Sequence, residues 1–242
     1  MPRTPRAHPR PPTPAQEQLS RTSKGLRSRI AILDAALVCI AKFGLSGVTH
    51  RAIAAQAGVP HSLTTYFFKS LQDLLEQAFE RFVALASEDN LAIMKRAEAY
   101  LDTLDPAQRF VPSRRRDVLA NLADMLTDFV LREAAEHSVG IAVELNALYI
   151  YRSDGRMREL ALGYRDMLVT RIAELIRKLA PEREADAMTD ASIVLAVMHK
   201  LELDCMNEAA SPPRARVHRE ITRLLTMMFA VSEVAQSTAR AA

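Results

Sequence analysis

Hydroxyl, aromatic and basic side chains concentrate in one stretch of a chain that is otherwise rich in alanine and leucine. The stretch runs from Thr49 to Lys69 and contains the segment "GVPHSLTTYFFK". Its side chains are hydrogen-bond donors, acceptors and aromatic rings, the types that contact phosphate groups and base edges. The stretch is therefore interpreted either as a recognition surface or as an unusually polar piece of core.

The charge of the chain is unevenly distributed. Residues 1–75 carry ten basic and three acidic side chains, whereas the remainder carries 22 basic and 26 acidic ones, and the formal net charge is +3. A basic first third on an acidic remainder favours contact with a polyanion at that end only. A solvated basic tail is the alternative, because much of the excess lies before Ile30.

Two short helices are predicted within the polar stretch. Thr49 is an N-cap candidate for "HRAIAAQA", and Gly58 supplies the left-handed residue that ends this helix. Pro60 opens a second helix through about Phe68. Two short helices joined at Ala57-Gly58-Val59 are the pattern of a helix-turn-helix, whose second helix enters the DNA major groove.

The surrounding pattern is helical throughout. Apolar residues from Ile30 to Ala41 predict a first helix that ends at Gly44, and Ser70 with Asp73 predicts the capped start of a long helix that runs toward Leu104. Further helices are predicted at about 113–137, 138–152, 155–180, 184–208 and 214–235. The fold class is therefore all-α: an N-terminal three-helix helix-turn-helix domain, a long connecting helix and a C-terminal helical bundle.

The chain is divided into three predicted segments. Residues 1–24 hold six of the twelve prolines and predict a disordered basic arm. Residues 25–75 form the predicted DNA-binding domain, and residues 76–242 form the larger helical domain.

The segment from Ile30 to Leu75 resembles the DNA-binding domain of the TetR family of transcriptional regulators. The resemblance lies in "RIAILDAALVCIAKFGLSGVT", "IAAQAGV", "TTYFF" and the Leu-x-x-Leu-Leu that starts the long helix. It implies a homodimer that binds a palindromic double-stranded DNA operator, and a C-terminal domain for dimerisation and for a small-molecule effector. It further implies a repressor, released when the effector tilts the long helix from Ser70 onward.

The same resemblance assigns faces to the second short helix. It implies that Thr64 and Phe68 point inward, whereas helical spacing alone would also allow Leu63 and Phe67 to do so. Leu63 would then contact a thymine methyl group, while Tyr66 would hold a phosphate. The residues predicted to bind DNA are Thr49, His50, Arg51, His61, Ser62, Leu63, Thr65, Tyr66, Phe67 and Lys69.

One position departs from the family pattern. Many members have a phosphate-binding lysine three residues before the first leucine of the "LL" pair, and here that position is Leu71. Lys69, two residues earlier, either replaces the lysine or leaves the contact absent.

The C-terminal domain offers candidates for an effector site and for a dimer interface. Glu144, Asn146 and Tyr149 lie in the apolar segment "VGIAVELNALYIY" and are the predicted ligand-binding residues, although a solvent-facing Glu or a nearby Arg partner would explain Glu144 equally well. The segment "ASIVLAVM" is apolar on nearly all sides, which favours coverage by a second subunit. A central helix of a monomer is the alternative.

Other classes of protein find little support. The chain lacks the short motifs of phosphate loops, zinc proteases and dinucleotide sites, so no enzyme, metal or cofactor is predicted. Glu133 and His137 stand one turn apart but lack evident further ligands for a metal. The two cysteines and the lack of a membrane-spanning run or signal peptide predict a cytoplasmic protein. A helical protein-binding adaptor without DNA function is the remaining alternative.

Overall fold

Nine α-helices make up most of the part of the chain that the structure describes. This computed structural model describes residues 14–105, 111–150, 155–207 and 214–230, with side chains from residue 23 onward except 147–150. The helices are α1 Pro14–Phe43, α2 His50–Ala57, α3 His61–Phe67, α4 Leu71–Asp102, α5 Pro112–Glu136, α6 Ser138–Ile150, α7 Arg156–Leu179, α8 Ala187–Asn207 and α9 Arg214–Phe229. These residues form no strand, so the all-α fold class is confirmed.

The first helix begins earlier than the sequence predicts. Helix α1 starts at Pro14, so residues 14–24 of the predicted arm are helical. Pro14 occupies the first helical position, where a missing N–H costs nothing. Residues 1–13 of the predicted arm lie outside the described residues.

Local capping fixes the boundaries of α2, α3 and α4. The Thr49 hydroxyl accepts a hydrogen bond from the backbone N–H of Ala52, and Gly58 adopts the left-handed conformation with φ 65°. The Ser70 hydroxyl accepts from the N–H of Asp73 at 3.1 Å. The Asp73 carboxylate reaches back to the N–H of Lys69 at 2.8 Å, so the reciprocal bond goes one residue beyond the N-cap.

Helices α1 to α4 form a head that packs onto the body of the molecule. Ile32, Ile53 and Phe79 are fully buried in its core, and this core continues into α6 and α7 through Val143 and Leu168. Arg81 of α4 forms a 2.6 Å ion pair with Asp34 of α1. One helix, α4, therefore belongs to both parts and crosses the predicted domain boundary at residue 75.

The body is a bundle of α5, α7, α8 and α9 around a second core. Helix α7 packs on α8, and α5 packs on α8 and α9. Val130, Ala173 and Leu201 are fully buried between these helices. Among the residues described, no helix is both long and apolar enough to cross a membrane.

Candidate DNA interface and ligand cavity

A tight turn sets the second short helix of the head against the first. The N–H of Gly58 donates to the carbonyls of Ala54 and Ala55, and the N–H of Val59 donates to Ala54 at 3.1 Å. Ile53 and Ala54 are buried, which lets α2 approach its neighbours closely. Helix α3 then starts after Pro60, in the arrangement of a helix-turn-helix.

One residue within α3 and the residue that caps its C-terminus anchor the helix in the head. Thr64 and Phe68 are buried, as the family resemblance implies. The Thr64 hydroxyl donates to the His61 carbonyl at 2.8 Å, so its burial leaves no unpaired proton. The Phe68 ring lies under the guanidinium of Arg29, 5.5 Å from the ring centroid.

The opposite face of α3 carries exposed polar and aromatic side chains. His61, Ser62, Thr65 and Tyr66 are exposed, and 78% of the Tyr66 side chain is accessible. An exposed ring of this size is unusual on a helix that is otherwise well packed, and it leaves the phenol free to meet a partner. These four predicted DNA-binding residues thus share one accessible face.

The remaining predicted residues lie around this face. Thr49, Arg51 and Lys69 are exposed, and His50 is half-buried with its ring centroid 6.2 Å from that of His61. Burial, and secondarily the proximity of His61, lowers the pKa of His50. The imidazole is therefore neutral at pH 7, and recognition through it would use a hydrogen bond.

Leu63 and Phe67 are intermediate between the two interpretations. Both are half-buried and pack against the head core, and the Phe67 ring meets Tyr66 edge-on at 5.1 Å. Each side chain therefore supports the helix with one edge and exposes the other. Leu71 is likewise half-buried against the core, so the position that carries lysine in many family members is used for packing here.

Comparison with known proteins agrees with this geometry. Residues 32–78 match the family model for bacterial regulatory proteins of the tetR family. This segment of the chain therefore has the sequence pattern of the tetR family. These residues include all of α2 and α3 and the start of α4, so the helix-turn-helix is the DNA-binding unit of a transcriptional regulator.

Solved structures share the fold over most of this chain. A transcriptional regulator from Rhodococcus sp. Rha1 aligns with a TM-score of 0.59 and 20% identity, over 83% of this chain and 95% of that one. A protein from Saccharomonospora viridis, assigned as a transcriptional regulator and solved with choline, aligns with a TM-score of 0.59 and 21% identity, over 84% and 97%. The multidrug binding protein EbrR, complexed with malachite green, aligns with a TM-score of 0.51 and 20% identity, over 81% and 96%. No curated protein matches the sequence of the chain.

The body of the protein contains a cavity of about 500 Å³. Its walls come from α4 to α9 and from Leu37 of α1, and they consist mainly of Leu, Ile, Met, Val and Phe side chains. The volume lies within the range of small-molecule sites. Because α1 and α4 also form the head, the cavity wall and the DNA-binding unit share two helices.

The polar lining of the cavity is acidic. The described lining residues include five carboxylates and two histidines, with no lysine or arginine: Asp89, Glu133, Glu136, Glu144, Glu202, His137 and His199. Nε2 of His199 lies 2.9 Å from a carboxylate oxygen of Glu144. Burial would lower the pKa of His199, but the hydrogen bond and charge of Glu144 outweigh burial and raise it.

The three predicted ligand-binding residues do not share one site. Glu144 lines the cavity. Asn146 does not; its side-chain amide donates to the Ala142 carbonyl at 2.8 Å, and its Oδ1 lies beside Gly44 at the end of α1. The side chain of Tyr149 lies outside the described residues.

Glu202 is a cavity residue that sequence reasoning missed. It is buried in α8 and lines the cavity one turn after His199. The sequence signal for it is a carboxylate between Met198 and Cys205, both of which are buried on the same helical face.

Glu133 and His137 bind each other instead of forming a metal site. Nδ1 of His137 lies 2.8 Å from Glu133 and 3.8 Å from Asp89, and the hydrogen bond to Glu133 raises the pKa of His137. The described part of the chain holds no group of three side chains suited to a metal ion.

Proposed function

We propose that this protein is a ligand-responsive repressor of the TetR family that binds a palindromic operator as a homodimer and is released by a small molecule. The carrying observation is the shared use of α1 and α4. These helices support the exposed face of α3 at one end, and Leu37, Phe82 and Leu85 line the cavity at the other. A ligand that reshapes the cavity would therefore also displace the head.

Apolar side chains on the outside of the bundle support a dimer. Met188, Ile193 and Leu203 of α8 are exposed, and Met227 of α9 has 72% of its side chain accessible. Exposed apolar groups on neighbouring helices are typical of a protein interface. A second copy covering α8 and α9 would bury them and would pair two recognition helices for successive major grooves.

Two routes connect the cavity to the recognition helix. Three residues separate the end of α3 from the start of α4, and the last of them, Ser70, caps α4. Helix α6 lines the cavity with Ile141 and Glu144 and packs against α1. Coupling through rigid helices with two arrangements is sufficient for such a switch.

The relatives support a small molecule as the effector. The S. viridis protein is solved with choline, and EbrR with malachite green. An apolar cavity of about 500 Å³ in this chain has room for a ligand of that class.

The experiment that tests the proposal is selection of bound fragments from genomic DNA, followed by anisotropy titrations on the enriched sequence. We expect a palindrome, two chains per site, and an affinity that falls steeply with salt. His61→Ala should change the sequence preference, whereas Tyr66→Ala should weaken binding to all sequences. Failure to enrich any sequence at low salt would contradict the proposal that the protein is a DNA-binding regulator. Binding of a single chain to each enriched site would contradict the proposed dimer.

A further inference from the structure

A buried carboxylate of the cavity lacks a partner. Only 6% of the Glu202 side chain is accessible, and among the described residues it has no hydrogen-bond or ion-pair partner. A buried carboxylate in this situation is costly unless a charge or a donor satisfies it. The side chain lines the cavity, so a ligand could supply that group.

Two further carboxylates face the same part of the cavity from other helices. Glu133 of α5 is 8% accessible, and its two oxygens contact His137 at 2.8 Å and Arg132 at 3.4 Å. Glu144 of α6 pairs with His199 of α8, and both also line a second groove together with Arg165. Both of these carboxylates therefore have partners, whereas Glu202 has no ion-pair or hydrogen-bond partner among the described residues.

The rest of the cavity excludes a strongly polar ligand. Phe82, Leu122, Ile172 and Met198 are among its lining residues, and apolar surface of this kind favours rings or alkyl groups. One ligand class satisfies both ends of the site: a hydrophobic body with a positive charge.

We propose that the cavity binds a lipophilic organic cation, with its charged group held among Glu202, Glu133 and Glu144. The inference rests on the proposed function only in naming the effector class. The binding itself requires no DNA.

Protonation of Glu202 keeps the empty site stable and gives binding a signature. Burial raises the pKa of Glu202 to about 8, with Glu144 and Glu133 acting in the same direction and His199 against them. The carboxyl group is therefore mostly protonated at pH 7. A bound cation would favour the ionised form and expel the proton.

The test uses tetraphenylphosphonium and tetraphenylborate, two ions of the same shape and opposite charge, titrated calorimetrically into the full chain without DNA. We expect the phosphonium to bind at least about tenfold more tightly than the borate, with proton release detectable as a dependence of heat on the buffer. Equal affinities for the two ions, or no phosphonium binding, would overturn the proposal.

Matched variants locate the charge. Glu202→Gln should weaken phosphonium binding about tenfold or more and abolish proton release, with a smaller loss for Glu133→Gln. Glu88→Gln, an exposed change on α4 outside the cavity lining, should bind like the parent. Circular dichroism checks the fold of each variant. Parent-like binding by folded Glu202→Gln would overturn the role of this carboxylate.

The outcomes separate this inference from the proposed function. Phosphonium binding that depends on Glu202 but does not release the enriched operator would retain the cation site and reject ligand release by this class. Operator binding with no affinity for phosphonium would retain the regulator and reject the cation site.

Discussion

The proposed recognition face of α3 consists of His61, Ser62, Thr65 and Tyr66, and the acidic end of the cavity consists of Glu133, Glu144 and Glu202. Both regions gather polar side chains, but the first is exposed to water and the second is shielded from it. Tyr66, Ser62 and Thr65 are exposed, so water satisfies them until a partner arrives. Glu202 and Glu133 are buried, so their neighbours or a ligand must do so. A polar site at the surface thus requires no desolvation of its side chains before a partner binds. A buried polar site has a desolvation free energy that a bound partner can offset.

The largest effect on stability is expected at Phe68, the buried residue that anchors the end of α3 in the head. Phe68→Ala should lower the free energy of unfolding by about 3–5 kcal/mol, because it removes a buried ring at the C-cap of α3. Tyr66→Ala, two positions earlier on the exposed face, should change it by less than about 0.5 kcal/mol. Urea denaturation of both variants measures the difference. Similar losses in the two would mean that the exposed face is itself structural.

The second largest effect concerns Glu202 in the cavity, whose contribution to the free energy of unfolding should depend on pH. The pKa of Glu202 is raised from its ordinary value to about 8 in the folded state, so the folded state holds a proton that the unfolded state has lost. The associated stability is present below about pH 4.5 and is lost as the pH rises through about 8. The free energy of unfolding of Glu202→Gln should therefore be close to that of the parent at pH 5 and higher by about 2–4 kcal/mol at pH 9.

Other charged groups near Glu202 also contribute to the pH dependence of stability. His199 and Glu144 face it from α8 and α6, Glu133 faces it from α5, and Arg165 lies near His199. The raised pKa of His199 also makes stability fall with rising pH, so the parent curve contains both groups. Urea titrations of parent and variant at several pH values isolate Glu202 by difference. A gap that stays constant with pH would contradict the assignment.

A smaller effect should come from the start of the helix-turn-helix. Thr49→Ala removes the cap on the N–H of Ala52 and should cost about 1 kcal/mol. Thr49→Ser keeps the hydroxyl and should recover most of that loss. Because Thr49 is also a predicted DNA contact, thermal denaturation and DNA titration should both be measured. A stability loss in Thr49→Ser as large as in Thr49→Ala would show that the methyl group, and not the cap, matters.

The comparison also explains what could be predicted from the sequence. The turn at Gly58 and the caps at Thr49 and Ser70 depend on residues three or four positions apart, and these local predictions are confirmed. The inward direction of Thr64 and Phe68 required the family pattern, because helical spacing alone allowed the neighbouring face.

The cavity could not be predicted in the same way. The partner of Glu144 is His199, 55 positions along the chain, and the burial of Glu202 depends on how α5 and α6 pack against α8. Asn146 follows Glu144 by two positions but lies toward α1 instead of the cavity. Composition identified polar residues in an apolar segment, but only tertiary packing decides which of them meet.

The smallest effect concerns one lysine at the edge of the recognition face. Leu71 packs against the core, whereas Lys69 is exposed, and we expect Lys69 to reach a phosphate near the start of α4. Lys69→Ala should weaken binding to all sequences alike and reduce the slope of log affinity against log salt by about 1. Its stability should not change, because the Asp73 carboxylate bonds the backbone N–H of residue 69 and not the ammonium. An unchanged salt slope would mean that this regulator lacks the phosphate contact that its family makes through lysine.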